Sequence, residues 1–242
     1  MSLILPTIAA IETSSELASV ALLCGDRVTS RESSGAQTHS MTVLALLQEL
    51  LREQDLTLGQ CDALAFGAGP GSFTGVRTAC GLAQGLAFGA NLPVVSVVTL
   101  LAMADAARNQ GGGDNIIAVL DARMGEVYWA QYRFDEQWQI VKEPCLSAPE
   151  RVLAEDASCA TGNGLAAYAD RFTGLPSVHR WPELMPHALQ IARLGRQFAL
   201  QGQGVHAREA QPIYLRNKVA LTTAERTERT ERIQEAGAGA GA

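Results

Sequence analysis

The chain has 242 residues, 47% of them hydrophobic and 18% charged, which fits one large or two modest globular domains and excludes a mostly disordered or fibrous chain. Nineteen Lys and Arg against 25 Asp and Glu leave a net charge of −6, so the molecule repels a phosphate backbone on average, the reverse of a dedicated nucleic-acid binder. There is no run of about 18 apolar residues and no basic residue ahead of the apolar N-terminal segment, so the expectation is a cytoplasmic protein with neither a membrane span nor a secretory signal.

Residues 7–12 read as a strand, 13–16 as a polar turn, 17–23 as a second strand, and 27–32, after a Gly25-Asp26 turn, as a third, which together make an antiparallel meander. Met41, Val43, Leu44, Leu47, Leu50 and Leu51 then recur at helical spacing over 40–53, with Ser40 in the N-cap position. A short apolar strand at 63–66 runs into a glycine-rich loop at 67–75, and a second helix follows to about residue 88. Residues 93–98 read as the next strand and 100–109 as the next helix. The Gly111-Gly112-Gly113 run can hold neither helix nor strand, so it marks a domain boundary: a first lobe over 1–110 and a second over 114–221. The second lobe opens as the first does, with an apolar strand ending in a carboxylate (Asp121, as Glu12 earlier), a tight turn at Gly125 and an alternating strand at 126–134. A shared start of this kind suggests internal duplication. Helical patterns recur at 149–155, 165–172 and 187–200, with a strand near Cys159 and a closing strand at 212–215. From about residue 222 the pattern collapses into Thr-Glu-Arg repeats and Gly-Ala alternation, which predicts a tail over 222–242 that is disordered or a marginally stable helix.

The glycine loop lies between a strand and a helix, where backbone N–H groups can cradle an anion. Gly69, Gly71, Ser72, Thr74 and Gly75 are therefore candidate nucleotide contacts, although Val76-Arg77 stands where a Walker loop needs Lys-Ser/Thr. A tight structural turn explains the same glycines. Ser72 lacks the flanking glycines of a nucleophile elbow, having Pro70 and Thr74 two residues to either side. His39, His179, His187 and His206 offer no i,i+4 pair for a helical metal site, and the residues predict no cofactor. The carboxylates Glu12, Glu16, Asp121 and Glu126 fall near strand ends, where they could serve a cleft enzyme or simply cap hairpins. Cys24, Cys61, Cys80, Cys145 and Cys159 form no close pair, the pattern of reduced and mostly buried thiols. The second helix carries Gly75, Ala79, Ala83 and Ala87 on one stripe and Gly81, Gly85 and Gly89 on a neighbouring one. Either stripe can face the sheet or another helix. With the leucine-rich first helix, Met41, Leu44, Leu47, Leu51, Gly75, Ala79, Ala83 and Ala87 are the candidate partner-interface residues.

With these residues in place the chain resembles the bacterial TsaB (YeaZ) family. The motifs are Ile-Glu-Thr-Ser-Ser at 11–15, Gly-Pro-Gly-Ser-Phe-Thr-Gly-Val-Arg at 69–77 with Gly-Leu-Ala-Gln-Gly-Leu-Ala at 81–87, Asp-Ala-Arg-Met-Gly-Glu-Val-Tyr-Trp at 121–129, and Pro-Ile-Tyr-Leu-Arg at 212–216. The resemblance implies an α/β fold of the actin-like, ribonuclease-H-like class, with two related lobes whose mixed sheets are flanked by helices. It implies a non-catalytic subunit required for threonylcarbamoylation of the adenosine beside the anticodon in tRNAs reading codons that start with A. The implied partners are the catalytic TsaD paralogue, a TsaE-like ATPase in the larger complex, a second copy of the chain in isolation, and tRNA only through the complex. An independent ATPase or peptidase of the same fold is the alternative. Two departures stand out: Glu12 replaces the family's usual aspartate, and Ala68 stands where arginine is common.

Overall fold

A computed structural model describes residues 5–34, 39–175 and 178–216; the tail predicted from residue 222 lies outside them. The opening meander forms as expected: β1 (Ile8–Glu12), β2 (Leu17–Cys24) and β3 (Arg27–Ser34) pair antiparallel, and β1 also pairs in parallel with β4 (Ala63–Gly69), which pairs with β5 (Val94–Val98). The sheet order is β3-β2-β1-β4-β5. β1 and β4 lie in the interior of the sheet with both faces covered, so they read as continuous apolar runs rather than alternating ones. Helices α1 (His39–Glu53) and α2 (Phe73–Ala90) cover one face of this sheet, closing a core of Ile11, Val20, Leu47, Leu50, Phe66 and Ala83.

The second half repeats the plan. β6 (Asn115–Arg123), β7 (Glu126–Asp135), β8 (Gln137–Ser147), β9 (Cys159–Thr161) and β10 (His179–Trp181) stand in the order β10-β9-β6-β7-β8. β6 therefore occupies the place of β1, and Asp121 that of Glu12. The duplication inferred from one hairpin extends to the whole sheet. β8 and β10 have no counterpart in the sequence reading. β8 is an edge strand with no fully buried residue, exposed or half-buried throughout, so it lacks a clean apolar alternation. The expected helix at 149–155 is a single 3-10 turn at Pro149–Arg151, the one at 165–172 is α4 (Gly164–Ala167) followed by another such turn, and 212–215 is extended but pairs into no sheet.

The glycine run separates the two sheets but not the two packing units. α3 (Thr99–Asn109) and α5 (Ala188–Leu200) lie between the sheets, and α5, expected with the second lobe, packs on β1, β2 and β4 of the first. Leu23, Leu100, Met103, Ile116, Tyr132 and Ile191 thereby join one continuous core. Among the described residues no helix is long and apolar enough to cross a membrane.

His187 fixes the start of α5. Its Nδ1 accepts from the Leu189 amide at 3.1 Å while Nε2 lies 3.2 Å from a Glu32 carboxylate oxygen on β3. Burial, opposed by Glu32, holds the imidazole below its ordinary value of 6.5, so the ring is neutral, with the proton on Nε2. A proton on Nδ1 would abolish the cap. The unfolded chain binds that proton first, so stability falls as pH drops below 6.5. His187→Ala should cost about 1 kcal/mol in urea melts at pH 8 and less at pH 5; an equal loss at both would refute the neutral cap.

Candidate functional site

A cleft of about 650 Å³ opens between the lobes, lined from the first by Ser14, Glu16, Ser72 and Thr74 and from the second by Asp121, Arg123, Asn163 and Arg216. The loops that end β1, β4 and β6 converge there, because parallel strands of doubly related sheets end on one side. Its contents are spent on the protein itself. The Ser72 amide donates to the Ser14 carbonyl at 2.7 Å, the Thr13 hydroxyl donates to the Gly75 carbonyl at 2.7 Å, and Ser72 Oγ caps α2 by accepting from the Gly75 amide at 3.4 Å. A Cβ on Gly71 would come within 2.5 Å of the Ser14 carbonyl, and one on Gly75 within 1.9 Å of the Thr13 carbonyl. The glycines let the start of α2 press onto the β1–β2 turn. Of the nucleotide candidates, Gly71 and Gly75 thus serve this contact, Gly69 packs against Val76 and the Ile213 carbonyl, and Ser72 and Thr74 are exposed at the cleft wall. Gly69, at φ +101°, gives its amide to the Thr99 hydroxyl at 3.1 Å.

The two carboxylates at corresponding strand ends differ. Glu12 is fully buried; Oε1 accepts from the Ser14 amide at 2.5 Å, Oε2 has no partner, and desolvation raises its pKa above the ordinary 4.5. Asp121 accepts from the Tyr168 hydroxyl at 2.9 Å and the Arg123 amide at 2.7 Å, and its second oxygen lies 3.1 Å from the Arg123 guanidinium. Both its oxygens are committed to protein donors. Among the described residues no group of three His, Cys, Asp or Glu side chains could hold a metal ion. His187 and His206 are helix caps, and none of the cysteines is paired: Cys61, Cys80 and Cys159 are buried, Cys145 half-buried and Cys24 exposed.

The partner-interface candidates require correction. Gly75, Ala79, Ala83 and Ala87 face inward onto the first sheet, and Leu47 and Leu51 of α1 belong to the same core. They are small or apolar because two helices and a sheet meet there. Met41 is 75% exposed and Leu44 half-buried, so these two remain on the outer face. The neighbouring stripe points out: an added Cβ at Gly81, Gly85 or Gly89 would meet nothing within 4 Å, and Phe88 beside it is 61% exposed. Periodicity showed both stripes but carried no sign of which one the sheet would cover. Arg123 and Arg216, which bridge the lobes, gave no signal in the sequence beyond lying in shared motifs.

The profile described as TsaD, tRNA N6-adenosine threonylcarbamoyltransferase, matches residues 30–236. The tRNA threonylcarbamoyladenosine biosynthesis protein TsaB of Haemophilus influenzae is 41% identical over 225 residues, spanning 88% of this chain and 94% of that protein. The chain belongs to the TsaB family. The Escherichia coli TsaB is 38% identical over 88% of this chain and 96% of its own length. YeaZ from Pseudomonas aeruginosa superposes with a TM-score of 0.81 at 37% identity, covering 87% of this chain and all of that one. The actin-like, two-lobed architecture expected from the TsaB resemblance is thus the observed one. Against this background, the longer carboxylate at position 12 fits because residue 67 is glycine: a Cβ there would lie 1.9 Å from Glu12 Oε2.

Proposed function

We propose that the chain serves tRNA threonylcarbamoyladenosine biosynthesis as a non-catalytic subunit, binding and stabilising a TsaD-like catalytic paralogue through the outer faces of α1 and α2. A TsaE-like ATPase joins the larger complex, and tRNA is met only within it. The observation that carries this reading is the outward stripe of Gly81, Gly85 and Gly89, with Phe88 exposed beside it on α2 and Met41 exposed on α1. Each interior glycine costs a soluble helix about 1 kcal/mol relative to alanine, a cost that close approach of a second helix would offset. The committed state of Asp121 and the self-filled glycine loop support a subunit without chemistry of its own. A profile named for TsaD that matches this chain supports a paralogous partner with a related face, and in the partner's absence two copies of the chain would use the same surface.

Gly85→Arg places a long side chain on the outer face without touching the core. Titration against the purified paralogue should show affinity reduced ~10-fold or more, about 1.4 kcal/mol, at a melting temperature no lower than that of the wild type. Undiminished affinity would place the interface elsewhere. Turnover of ATP or a peptide by the purified chain alone would favour the independent hydrolase instead.

A further inference from the structure

The Pro-Ile-Tyr-Leu-Arg motif at 212–216 pairs into no sheet, yet it touches both lobes. Its approach is fastened to the first. Val205 and Val94 of β5 exchange both backbone hydrogen bonds at 2.8 and 2.9 Å, and Gln84 of α2 donates to the Ala210 carbonyl at 2.9 Å. The Ile213 amide donates to the Ala68 carbonyl at the end of β4 at 2.7 Å, and Arg77 of α2 donates from Nε to the Tyr214 hydroxyl at 2.7 Å while stacking 3.6 Å from the centre of the Phe73 ring. Two residues later the contacts pass to the second lobe. Arg216 Nη2 lies 2.7 Å from Glu126 Oε2 and donates to the Ala122 carbonyl at 3.1 Å, with a side chain only 14% exposed.

The hairpin that Arg216 grips is tightly turned. Arg123, Met124 and Gly125 in succession take φ of +62°, +58° and +80°, and carbonyls of this turn accept from side chains: Arg123 from Arg216 Nη2 at 3.5 Å and Gly125 from Arg171 Nη1 at 3.3 Å. Arg216 Nη2 thus serves two neighbouring carbonyls, Ala122 and Arg123, as well as Glu126. The other tie between these turns, Arg123 to Glu16 at 3.0 Å, is 73% and 89% exposed at its two ends, and an ion pair in that setting contributes little. The 212–216 segment also separates two interlobe spaces. Arg216 lines the 650 Å³ cleft, whereas Ile213 and Leu215 line a groove of about 580 Å³ shared with Val98, Trp138 and Phe198.

We infer that residues 210–216 form an interlobe strap, anchored on β4 and α2, and that Arg216 is the latch that, beside the core shared through α3 and α5, sets the width of the cleft between the lobes. Because the strap is fastened to α2, a load on that helix is transmitted to the width of the cleft. The inference does not depend on which partner, if any, α2 receives.

Spin labels at Glu49 on α1 and Gln139 on β8, both exposed, in the full chain with Cys24→Ser and Cys145→Ser, report the interlobe distance by pulsed electron spin resonance. Arg216→Met should broaden the distance distribution and shift its mean at a temperature well below unfolding. Glu150→Gln, which weakens an ion pair to Arg171 confined to the second lobe and keeps the Arg171 side chain that donates to the Gly125 carbonyl, should leave it unchanged. A wild-type distribution in Arg216→Met, or equal broadening in Glu150→Gln, would overturn the latch. Should Arg216→Met fail to fold, Glu126→Gln decides: a lesser broadening is expected, and an unaltered distribution refutes the proposal.

Discussion

Replacing Gly75 by alanine should destabilise the protein by about 3–5 kcal/mol, at the upper end of what single substitutions do. The added methyl group would sit 1.9 Å from the Thr13 carbonyl. That atom is backbone, in the turn that follows β1, so no rotamer change relieves the overlap and α2 must lift off the sheet. Lifting it breaks the Thr13–Gly75 and Ser14–Ser72 hydrogen bonds and loosens the contact of Ala79 and Ala83 with the core. Gly81→Ala, on the opposite face, should instead raise stability by about 0.5–1 kcal/mol, since its methyl group enters open space and helix propensity improves. Guanidinium melts of the two variants beside the wild type measure both. Equal midpoints for Gly75→Ala and wild type would mean that α2 does not rest on the β1–β2 turn, and the inward assignment of the whole stripe would fall with it.

Glu12→Gln should stabilise the chain at neutral pH by about 2–4 kcal/mol, because a buried carboxylate with one oxygen unpartnered is held in a site that cannot solvate it. Glutamine keeps the acceptor for the Ser14 amide and replaces the unpartnered Oε2 with a neutral group over Gly67. The folded-state pKa of Glu12 lies above 4.5, so the folded protein holds a proton that the unfolded chain releases. The stability this contributes is complete below pH 4.5 and is lost as pH rises through the folded value. The difference between variant and wild type should therefore be small below pH 4.5 and widen on going to pH 8. A difference constant across that range would show that Glu12 does not titrate in the fold. If Glu12 has no part in chemistry, tRNA modification by the reconstituted complex should stay within a few-fold of normal in this variant.

How much of this was legible in the sequence depended on whether a residue's neighbours lie close in the chain. The β1–β2–β3 meander could be read from its turns, and α1 and α2 from the spacing of their apolar residues, because those signals are local. The orientation of α2 was not, since both of its stripes are small and only the sheet, assembled from distant segments, decides which one is covered. α5 has a strong helical pattern, but chain order assigns it to the second lobe while its contacts lie on β1 and β4. β8 went unseen because an exposed edge strand needs no apolar face. At the cleft, Glu12 and Asp121 looked like a matched pair; burial of one and saturation of the other with donors are products of packing that spacing does not encode.

The sheet is repeated, but the outer helices are not. Where the first half carries α1 and α2, the second carries a 3-10 turn at Pro149–Arg151 and the four-residue α4. The repeat is thus one of sheets and not of helices. If α1 and α2 form the docking face, as proposed, the described residues offer that face once: a chain presenting it at both ends could pass it from copy to copy and grow into a filament, whereas self-association through a single face closes as a pair.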